Sequence, residues 1–148
     1  DGRLEQIGTP DEIYNRPPTL FVACFVGSPP MTLIESEVSN GRFRSGPLSL
    51  PVAAAPGPAV LGVRPQDLRI SAANDQAALP ASVFAVEHLG REAVVVAETE
   101  SGLRLRVLVA PGFTARVGDV LRLAPDADRC MLFGADGGRI AGANARAA

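Results

Sequence analysis

The chain has 148 residues, 47% of them hydrophobic, which is enough for one domain with a buried core and a small appendage. Its formal net charge is −2 at pH 7, so it lacks the basic surplus of a nucleic-acid-binding protein, and we expect no nucleic-acid partner. The 14 Lys and Arg residues are all Arg, which excludes the Lys of a phosphate-binding loop and lysine-based Schiff-base chemistry.

Three features of the sequence indicate the cellular compartment of the protein: its first residues, its longest apolar run and its cysteines. No apolar segment follows Asp1 as it would in a secretory signal peptide. The run Leu20–Val26 is far shorter than the roughly 20 residues that cross a bilayer. Cys24 and Cys130 do not have the spacing of a zinc site, and we expect both thiols to be reduced, buried and unreactive. The sequence therefore predicts a cytoplasmic protein.

The N-terminal segment predicts two short helices. Residues 3–7 have the alternation of the last part of a hairpin. The stretch TPDE at residues 9–12 then has the N-cap, the first-turn Pro and the Glu of a capping box. Pro17-Pro18 ends this helix, and a second helix is predicted over residues 19–26 with Gly27 as its C-cap. Because that second helix is apolar on every side, more than one of its faces should be covered.

From residue 31 onward the pattern changes to short strands with Gly and Pro between them. Asn40-Gly41 predicts a tight two-residue hairpin, and the alternation of Leu and Val with Arg over residues 103–109 predicts a strand with one buried face. Strands are predicted over residues 31–38, 42–44, 59–63, 83–89, 92–99, 103–109, 120–123 and 130–133.

The number and spacing of these strands are typical of a barrel or a sandwich. The sequence therefore predicts a mainly β fold in three parts. Residues 1–30 form a mixed lead-in with a different periodicity, residues 31–140 form a β-barrel-like module, and residues 141–148 form a disordered tail.

Arg64, Glu87 and His88 are the candidates for a regulatory or dimer contact. Pro65 forces Arg64 into an extended conformation, from which it could contact a partner or, more simply, pair with a local carboxylate at the barrel rim. His88 is the chain's single His. It could form a pH switch or an acid/base pair with Glu87, but the absence of a nucleophile motif favours a structural residue at a strand end. We predict no catalytic, cofactor-binding or metal-ligating residue.

Two further clusters have simple interpretations. Arg104 and Arg106 could bind an anion, but Glu98 and Glu100 on the adjoining strand can offset their charge, which favours a solvated strand face. The acidic pair at residues 126 and 128 matches neither an EF-hand nor a facial triad.

The stretch DGRLEQIGTPDEIYNRPPTLFVACFVGSPPM at residues 1–31 resembles the segment that leaves the nucleotide-binding domain of sugar-importer-type ABC transporter ATPases, the maltose and glycerol-3-phosphate importer family. That family usually has Asn where this chain has Thr32. Later stretches at residues 61–67, 86–90, 118–119 and 133–140 resemble the family's strands in the same order, although its Phe-Asp pair is Phe-Gly here. The matching residues of the first stretch are Gly2, Gln6, Gly8, Pro10, Glu12, Tyr14, Pro17, Phe21, Val22, Ala23, Phe25, Gly27, Pro29 and Met31.

The resemblance implies an oligonucleotide/oligosaccharide-binding-like (OB-like) β-barrel, the TOBE region, preceded by the α-containing end of an ATP-binding domain. In the family, the helix over residues 19–26 packs between the two domains. The implied function is a regulatory and dimerisation module of an importer ATPase that drives uptake of a sugar or sugar phosphate. ATP and Mg would bind only the intact parent, and this fragment would bind no cofactor and hydrolyse nothing.

The resemblance also implies partners and a location. These are a second copy of the protein, bound through the regulatory domain, and the membrane permease subunits, with the protein cytoplasmic and peripheral to the inner membrane. The alternative is an accessory domain that senses an oxyanion or small ligand, as in molybdate importers; the lack of Lys speaks against it. A single-strand nucleic-acid binder on the same barrel is disfavoured by the charge and the few aromatic residues.

Overall fold

The computed structural model describes residues 2, 4 and 7–140, in which two short helices precede ten strands. The helices are α1 (Pro10–Asn15) and α2 (Leu20–Phe25), and a 3-10 turn spans Pro65–Asp67 between β4 and β5. The strands are β1 (Thr32–Ser39), β2 (Arg42–Ser45), β3 (Leu48–Pro51), β4 (Gly57–Val63), β5 (Leu68–Ser71), β6 (Leu79–Leu89), β7 (Glu92–Glu98), β8 (Arg104–Val109), β9 (Val120–Pro125) and β10 (Met131–Gly134).

The strands form two antiparallel five-stranded sheets that enclose one core. The first sheet has the order β10-β4-β1-β2-β3 and the second the order β5-β9-β6-β7-β8. Both sheets contribute side chains to a single hydrophobic cluster, which confirms the predicted mainly β fold. Its fully buried members include Ile34, Phe43, Leu61 and Leu132 from the first sheet and Val83, Val95, Leu105 and Leu123 from the second.

Several local predictions are confirmed. Thr9 caps α1: its hydroxyl accepts from the Glu12 amide at 3.2 Å, and the Glu12 carboxylate accepts from the Thr9 amide at 2.9 Å. Asn40 and Gly41 both have positive φ, 51° and 69°, as the tight hairpin between β1 and β2 requires. In β8 the Leu and Val side chains at 105, 107 and 109 are buried, and Arg104 is exposed.

Other boundaries differ from the prediction. Strands β3 and β5 were not predicted, because four residues are too few for the alternation to stand out from a loop. Strand β6 begins at Leu79, before the strand predicted over residues 83–89, although Pro80 can donate no ladder hydrogen bond. The predicted hairpin end at residues 3–7, apart from Leu4 and Ile7, and the predicted tail at 141–148 lie outside the described residues.

The two helices pack against the end of the first sheet. Ala23 of α2 lies in a small buried cluster with Met31, Met131 and Phe133. The segment after β10 holds the helices from the other side: the Gly137 carbonyl accepts from the Leu20 amide at 2.8 Å, and the Pro18 carbonyl accepts from the Arg139 amide at 2.8 Å. Within the described ranges, no helix has the length and apolar character needed to cross a membrane. A domain boundary at residues 30/31 stays a prediction.

Candidate functional site: the junction between the helices and the sheets

Arg64 joins both helices to the end of β4. Its side chain is buried, with 2% of the residue's surface exposed. Nη2 donates to the Tyr14 carbonyl in α1 at 2.7 Å, and Nη1 donates to the Val26 carbonyl just after α2 at 3.0 Å. The guanidinium also lies over the Tyr14 ring, 3.7 Å from its centroid. One side chain therefore fixes the C-terminal ends of two helices to the sheet.

The backbone on both sides of this contact is suited to it. Pro65 follows Arg64, whose φ of −79° and ψ of 153° are extended, as a residue before proline favours. Gly27, predicted as the C-cap of α2, follows the observed cap Val26 and has a φ of 111°. A Cβ at Gly27 would lie 2.9 Å from Nη1 of Arg64 and 3.3 Å from the Tyr14 ring. Glycine is needed there for both conformation and space.

The electrostatics of the junction follow from burial. Burial lowers the pKa of the Arg64 guanidinium, an effect that the charges of Tyr14, Asp67 and Cys24 oppose. Burial raises the pKa of the Asp67 carboxyl, and the positive charge of Arg129 opposes this change. Arg64 makes its hydrogen bonds to carbonyl groups, so the predicted pairing with a carboxylate at the barrel rim is wrong. Among the described residues, its buried Nε has no hydrogen-bond partner.

A polar cleft of about 660 Å³ opens beside this junction. It lies between the end of α1, the 3-10 turn, the turn from β9 to β10 and the segment after β10. Gln66 donates to the Tyr14 hydroxyl, and Nη1 of Arg139 donates to the Asn15 carbonyl at 3.2 Å. The charged residues that line the cleft are Arg16, Arg64, Asp67, Asp128, Arg129 and Arg139.

Glu87 and His88 lie elsewhere, near the end of β6 in the second sheet. Both are exposed, and they pair with Val94 and Ala93 across the hairpin to β7. The structure does not place them with Arg64, and neither of them lines the cleft. His88 is one residue from the strand end, where the simpler interpretation expected it. The regulatory or dimer-contact roles of Arg64, Glu87 and His88 stay predictions, and a buried Arg64 leaves little surface for a direct contact.

Helix α2 exposes one apolar face, formed by Phe21, Cys24 and Phe25, which we call the phenylalanine face. Phe21 and Phe25 are 65% and 82% exposed, and their ring centroids are 6.2 Å apart. Cys24 is exposed between them, so the prediction that it is buried is wrong: it belongs to the face of α2 that the described residues leave open. The described residues thus cover one face of α2 and leave the other open.

The second cysteine behaves as predicted. Cys130 is a free thiol that is buried, and its Sγ donates to the Asp126 carbonyl at 3.2 Å. Burial raises the pKa of this thiol to about 12, and the charges of Asp67 and Asp126 add to the rise. A thiol with such a pKa is a weak nucleophile at neutral pH, because the thiolate is the reactive form.

Arg104, one of the two arginines considered as an anion site, pairs with a carboxylate of the adjoining strand. Nε of Arg104 lies 3.0 Å from a carboxylate oxygen of Glu98, and the guanidinium also lies over the Phe84 ring at 4.2 Å. This pairing offsets the charge of Arg104, as the interpretation of a solvated strand face expects. Within the part of the chain that the structure describes, no group of three His, Cys, Asp or Glu residues is arranged to hold a metal ion.

Sequence reasoning selected Arg64 but missed the residues that it contacts. Tyr14, Val26 and Gly27 come from the N-terminal segment, and Tyr14 is 50 positions from Arg64. The available signals were weak: Tyr14 is the single Tyr of the chain, and Gly27 follows an apolar run. Nothing in the local pattern pairs either one with Arg64.

Comparison with known proteins gives a family match and several relatives. Residues 61–133 match the family model of the TOBE domain. The chain is also similar to proteins named sn-glycerol-3-phosphate import ATP-binding protein UgpC from Brucella abortus, at 36% identity over 143 residues, and from Cereibacter sphaeroides, at 40% over 140 residues. A protein named UgpC 1 from Rhizobium johnstonii is 38% identical over 147 residues. These matches cover 93–94% of this chain and 40% of each relative, so the chain spans about two fifths of the relatives' length.

Proposed function

This chain is a member of the TOBE domain family, and from that premise we propose that it is the regulatory and dimerisation region of an ABC importer ATP-binding protein. The observation that carries the proposal is the similarity to import ATP-binding proteins along 94% of the chain. The similarity includes the helical segment as well as the sheets, which favours a shared architecture over a free-standing ligand-binding barrel.

The whole protein, on this proposal, binds ATP and Mg²⁺ in a separate domain and hydrolyses ATP to drive uptake of a sugar phosphate. The names of the relatives favour sn-glycerol-3-phosphate as the solute. Membrane permease subunits are its partners, and it works on the cytoplasmic side of the inner membrane. This region itself hydrolyses nothing and binds no nucleotide.

The phenylalanine face is the proposed contact with the ATP-binding domain. Two stacked Phe rings exposed on a short helix are an apolar patch that a further protein surface would bury. On the opposite side of α2, Arg64 and the Ala23 cluster fix the helix to the sheets. A movement of the ATP-binding domain would therefore reach the TOBE region through α2 and Arg64.

The test is uptake of labelled sn-glycerol-3-phosphate by cells in which the gene containing this sequence is deleted. We expect uptake to fall to background and to return with the intact gene. A second solute with its own importer serves as the control and should enter at an unchanged rate. Unchanged sn-glycerol-3-phosphate uptake in the deleted cells would refute the proposed solute.

Self-association is tested separately by light scattering on the purified chain over a concentration series. We expect the average mass to rise with concentration and to approach twice the chain mass. If the exposed hairpin end is the contact, the double variant Glu87→Ala, His88→Ala should need a higher concentration to reach the same mass. Arg44→Ala, an exposed position on β2, is the matched control. A mass of one chain at high micromolar concentration would count against dimerisation through this region.

A further inference from the structure

We propose that a groove on the second sheet binds an extended segment of a partner protein, in which one basic side chain lies between apolar ones. Two adjoining hollows form this groove, with volumes of about 570 and 440 Å³. We call them the Phe84 hollow and the Pro47 hollow, after a residue that lines each one. The residues that line both hollows are Pro80, Thr99 and Glu100.

The pairing register of the second sheet builds the Phe84 hollow. Residues directly opposite each other on antiparallel strands point to the same face of the sheet. A register shift between Val83 and Ala85 leaves Phe84 without a partner on β7, and such a bulge re-aims the side chain that it contains. The row of outward side chains beside this bulge crosses β9, β6, β7 and β8 as Val120, Ser82, Glu98 and Arg104.

Phe84 and Val120 give the Phe84 hollow an apolar wall that the described residues leave open. Phe84 is 51% exposed, and Val120 is 68% exposed. The Arg104 guanidinium lies over the Phe84 ring, 4.2 Å from its centroid, and the Glu98 carboxylate holds Arg104 there at 3.0 Å. The chain itself therefore covers one part of the ring, and an apolar side chain of a partner would bury the remainder.

Glu100 places a negative charge where the two hollows meet. Glu98 is paired with Arg104, but across residues 2, 4 and 7–140 no cation lies within ion-pair distance of Glu100. The turn that contains Glu100 is held at its base, because the Leu103 carbonyl accepts from the Thr99 amide at 2.9 Å and the Thr99 hydroxyl accepts from the Leu103 amide at 3.1 Å. A carboxylate between apolar walls favours Lys or Arg, which combine an apolar stem with a charged end.

The Pro47 hollow extends the groove from Glu100 to the turn between β2 and β3 of the first sheet. Four residue steps along β6 separate Pro80 from Phe84, which is about 13 Å of extended chain. A segment of roughly five residues therefore reaches from one hollow to the other, with its basic residue at Glu100. The apolar residues that line the Pro47 hollow are Pro47, Leu79, Pro80 and Leu103.

The charge of the groove favours a different protein over a second copy of this chain. Two copies that met through this face about a two-fold axis would bring the same acidic surface together, with Glu100 facing its own kind. Glu87 and His88, the candidates for a dimer contact, do not line either hollow. The proposal uses only residues of this chain, so it stands or fails independently of the importer function.

The experiment begins with the purified 148-residue chain on an array of five-residue peptides. The peptides contain Leu, Val, Phe or Pro at the outer positions and Arg, Lys, Gln or Glu in the middle. We expect the chain to bind members with a basic middle residue in preference to those with Gln or Glu. The tightest basic peptide and its Gln analogue are then measured by fluorescence anisotropy, where binding of the basic peptide should weaken as salt is added.

Variants of the groove give the decisive comparison. Glu100→Gln should weaken the basic peptide about fivefold, the upper end for an exposed ion pair, and should leave the Gln analogue unchanged. Phe84→Ser should weaken both peptides. The matched controls are Glu92→Gln and Phe25→Ser, because both residues are exposed and neither lines the groove.

Circular dichroism checks that each variant is folded. An array without preference for a basic middle residue overturns the proposal, as does an equal effect of Glu100→Gln and Glu92→Gln on the basic peptide. If Glu100→Gln or Phe84→Ser instead alters the mass of the chain in light scattering, while the array shows no preference, the occupant is a second copy and the proposed partner is wrong.

Discussion

Arg64 is a cation inside the protein whose hydrogen bonds end on backbone carbonyls. Replacing it with Ala removes two charge-assisted hydrogen bonds and the contact with the Tyr14 ring, and it leaves two carbonyls unpaired. We expect Arg64→Ala to lower the free energy of unfolding by about 3 kcal/mol, measured by urea denaturation. Arg69→Ala, an exposed position on β5, is the control and should change it by less than about 0.5 kcal/mol. Equal losses in the two variants would contradict the role given to Arg64.

Gly27 tests the same junction from the backbone side. Gly27→Ala combines a strained φ of 111° with a Cβ placed 2.9 Å from the Arg64 guanidinium. Gly90→Ala has a φ of 67° but no atom within 4 Å of the new Cβ, so it contains the backbone strain without the close contact. We expect Gly90→Ala to cost about 1 kcal/mol and Gly27→Ala clearly more, measured as the midpoint of urea unfolding. Equal urea midpoints for the two variants would show that the Arg64 side chain can move away from the new Cβ without loss of stability.

The raised pKa of the Asp67 carboxyl predicts that the stability of the fold depends on pH, and it fixes the sign of that dependence. Burial raises the pKa of its carboxyl in the folded protein, so the folded state binds the proton more tightly than the unfolded state. The contribution of Asp67 therefore lowers the free energy of unfolding as pH rises from the pKa in the unfolded state, near 3.9, to the pKa in the folded state. Above the folded-state pKa the size of this destabilisation stays constant. Asp67→Asn should raise the melting temperature at about pH 7, with a gain that shrinks toward pH 4.

Asp75 provides a control of opposite sign. Hydrogen bonds from the Ser71 hydroxyl and the Ala77 amide lower the pKa of its carboxyl. Its contribution is present above the unfolded pKa and is lost as pH falls through the folded pKa. Asp75→Asn should therefore lower the melting temperature at neutral pH. Shifts of the same sign in Asp67→Asn and Asp75→Asn would contradict the two environments described here.

At the scale of the element, α2 differs on its two sides, and its cysteine reports on the exposed one. Cys24 is accessible in this chain, whereas Cys130 is buried with a pKa raised to about 12. We expect a thiol reagent at about pH 8 to modify one cysteine per native chain, and Cys24→Ser to abolish that reaction. In the longer ATP-binding protein that we propose, cover of the phenylalanine face should slow the reaction at Cys24. An equal rate in the isolated chain and the intact protein would contradict the proposed contact.

The elements show which features a sequence can predict. The start of α1 was predictable because a capping box is a local pattern of four residues, and the hairpin at Asn40 because two positive φ angles need particular residues. Strands β3 and β5 were missed because each has only four residues, too few for an alternation to stand out, and β5 also pairs with the distant strand β9. The Arg64 junction was missed because its partner Tyr14 is 50 residues away.

Considered as a whole, the molecule has two kinds of attachment between its helical segment and its sheets. One is apolar, through Ala23 and the residues Met31, Met131 and Phe133. The other is polar, through Arg64 and the hydrogen bonds from the segment after β10. Neither attachment belongs to the main core, whose buried members lie in the two sheets, apart from Cys130 directly before β10. The sheets therefore contain a core that the helices do not complete.

This division predicts the outcome of removing residues 1–29. The main core between the sheets stays intact, while Met31, Met131 and Phe133 lose their cover and the Arg64 guanidinium loses its two carbonyl partners. We expect the shortened chain to unfold cooperatively with a lower melting temperature, followed by far-ultraviolet circular dichroism. Thr9→Ala in the full chain weakens the start of α1 alone and should lower the melting temperature less. A shortened chain without a cooperative transition would show that the helices complete the domain and that the boundary predicted at residues 30/31 is wrong.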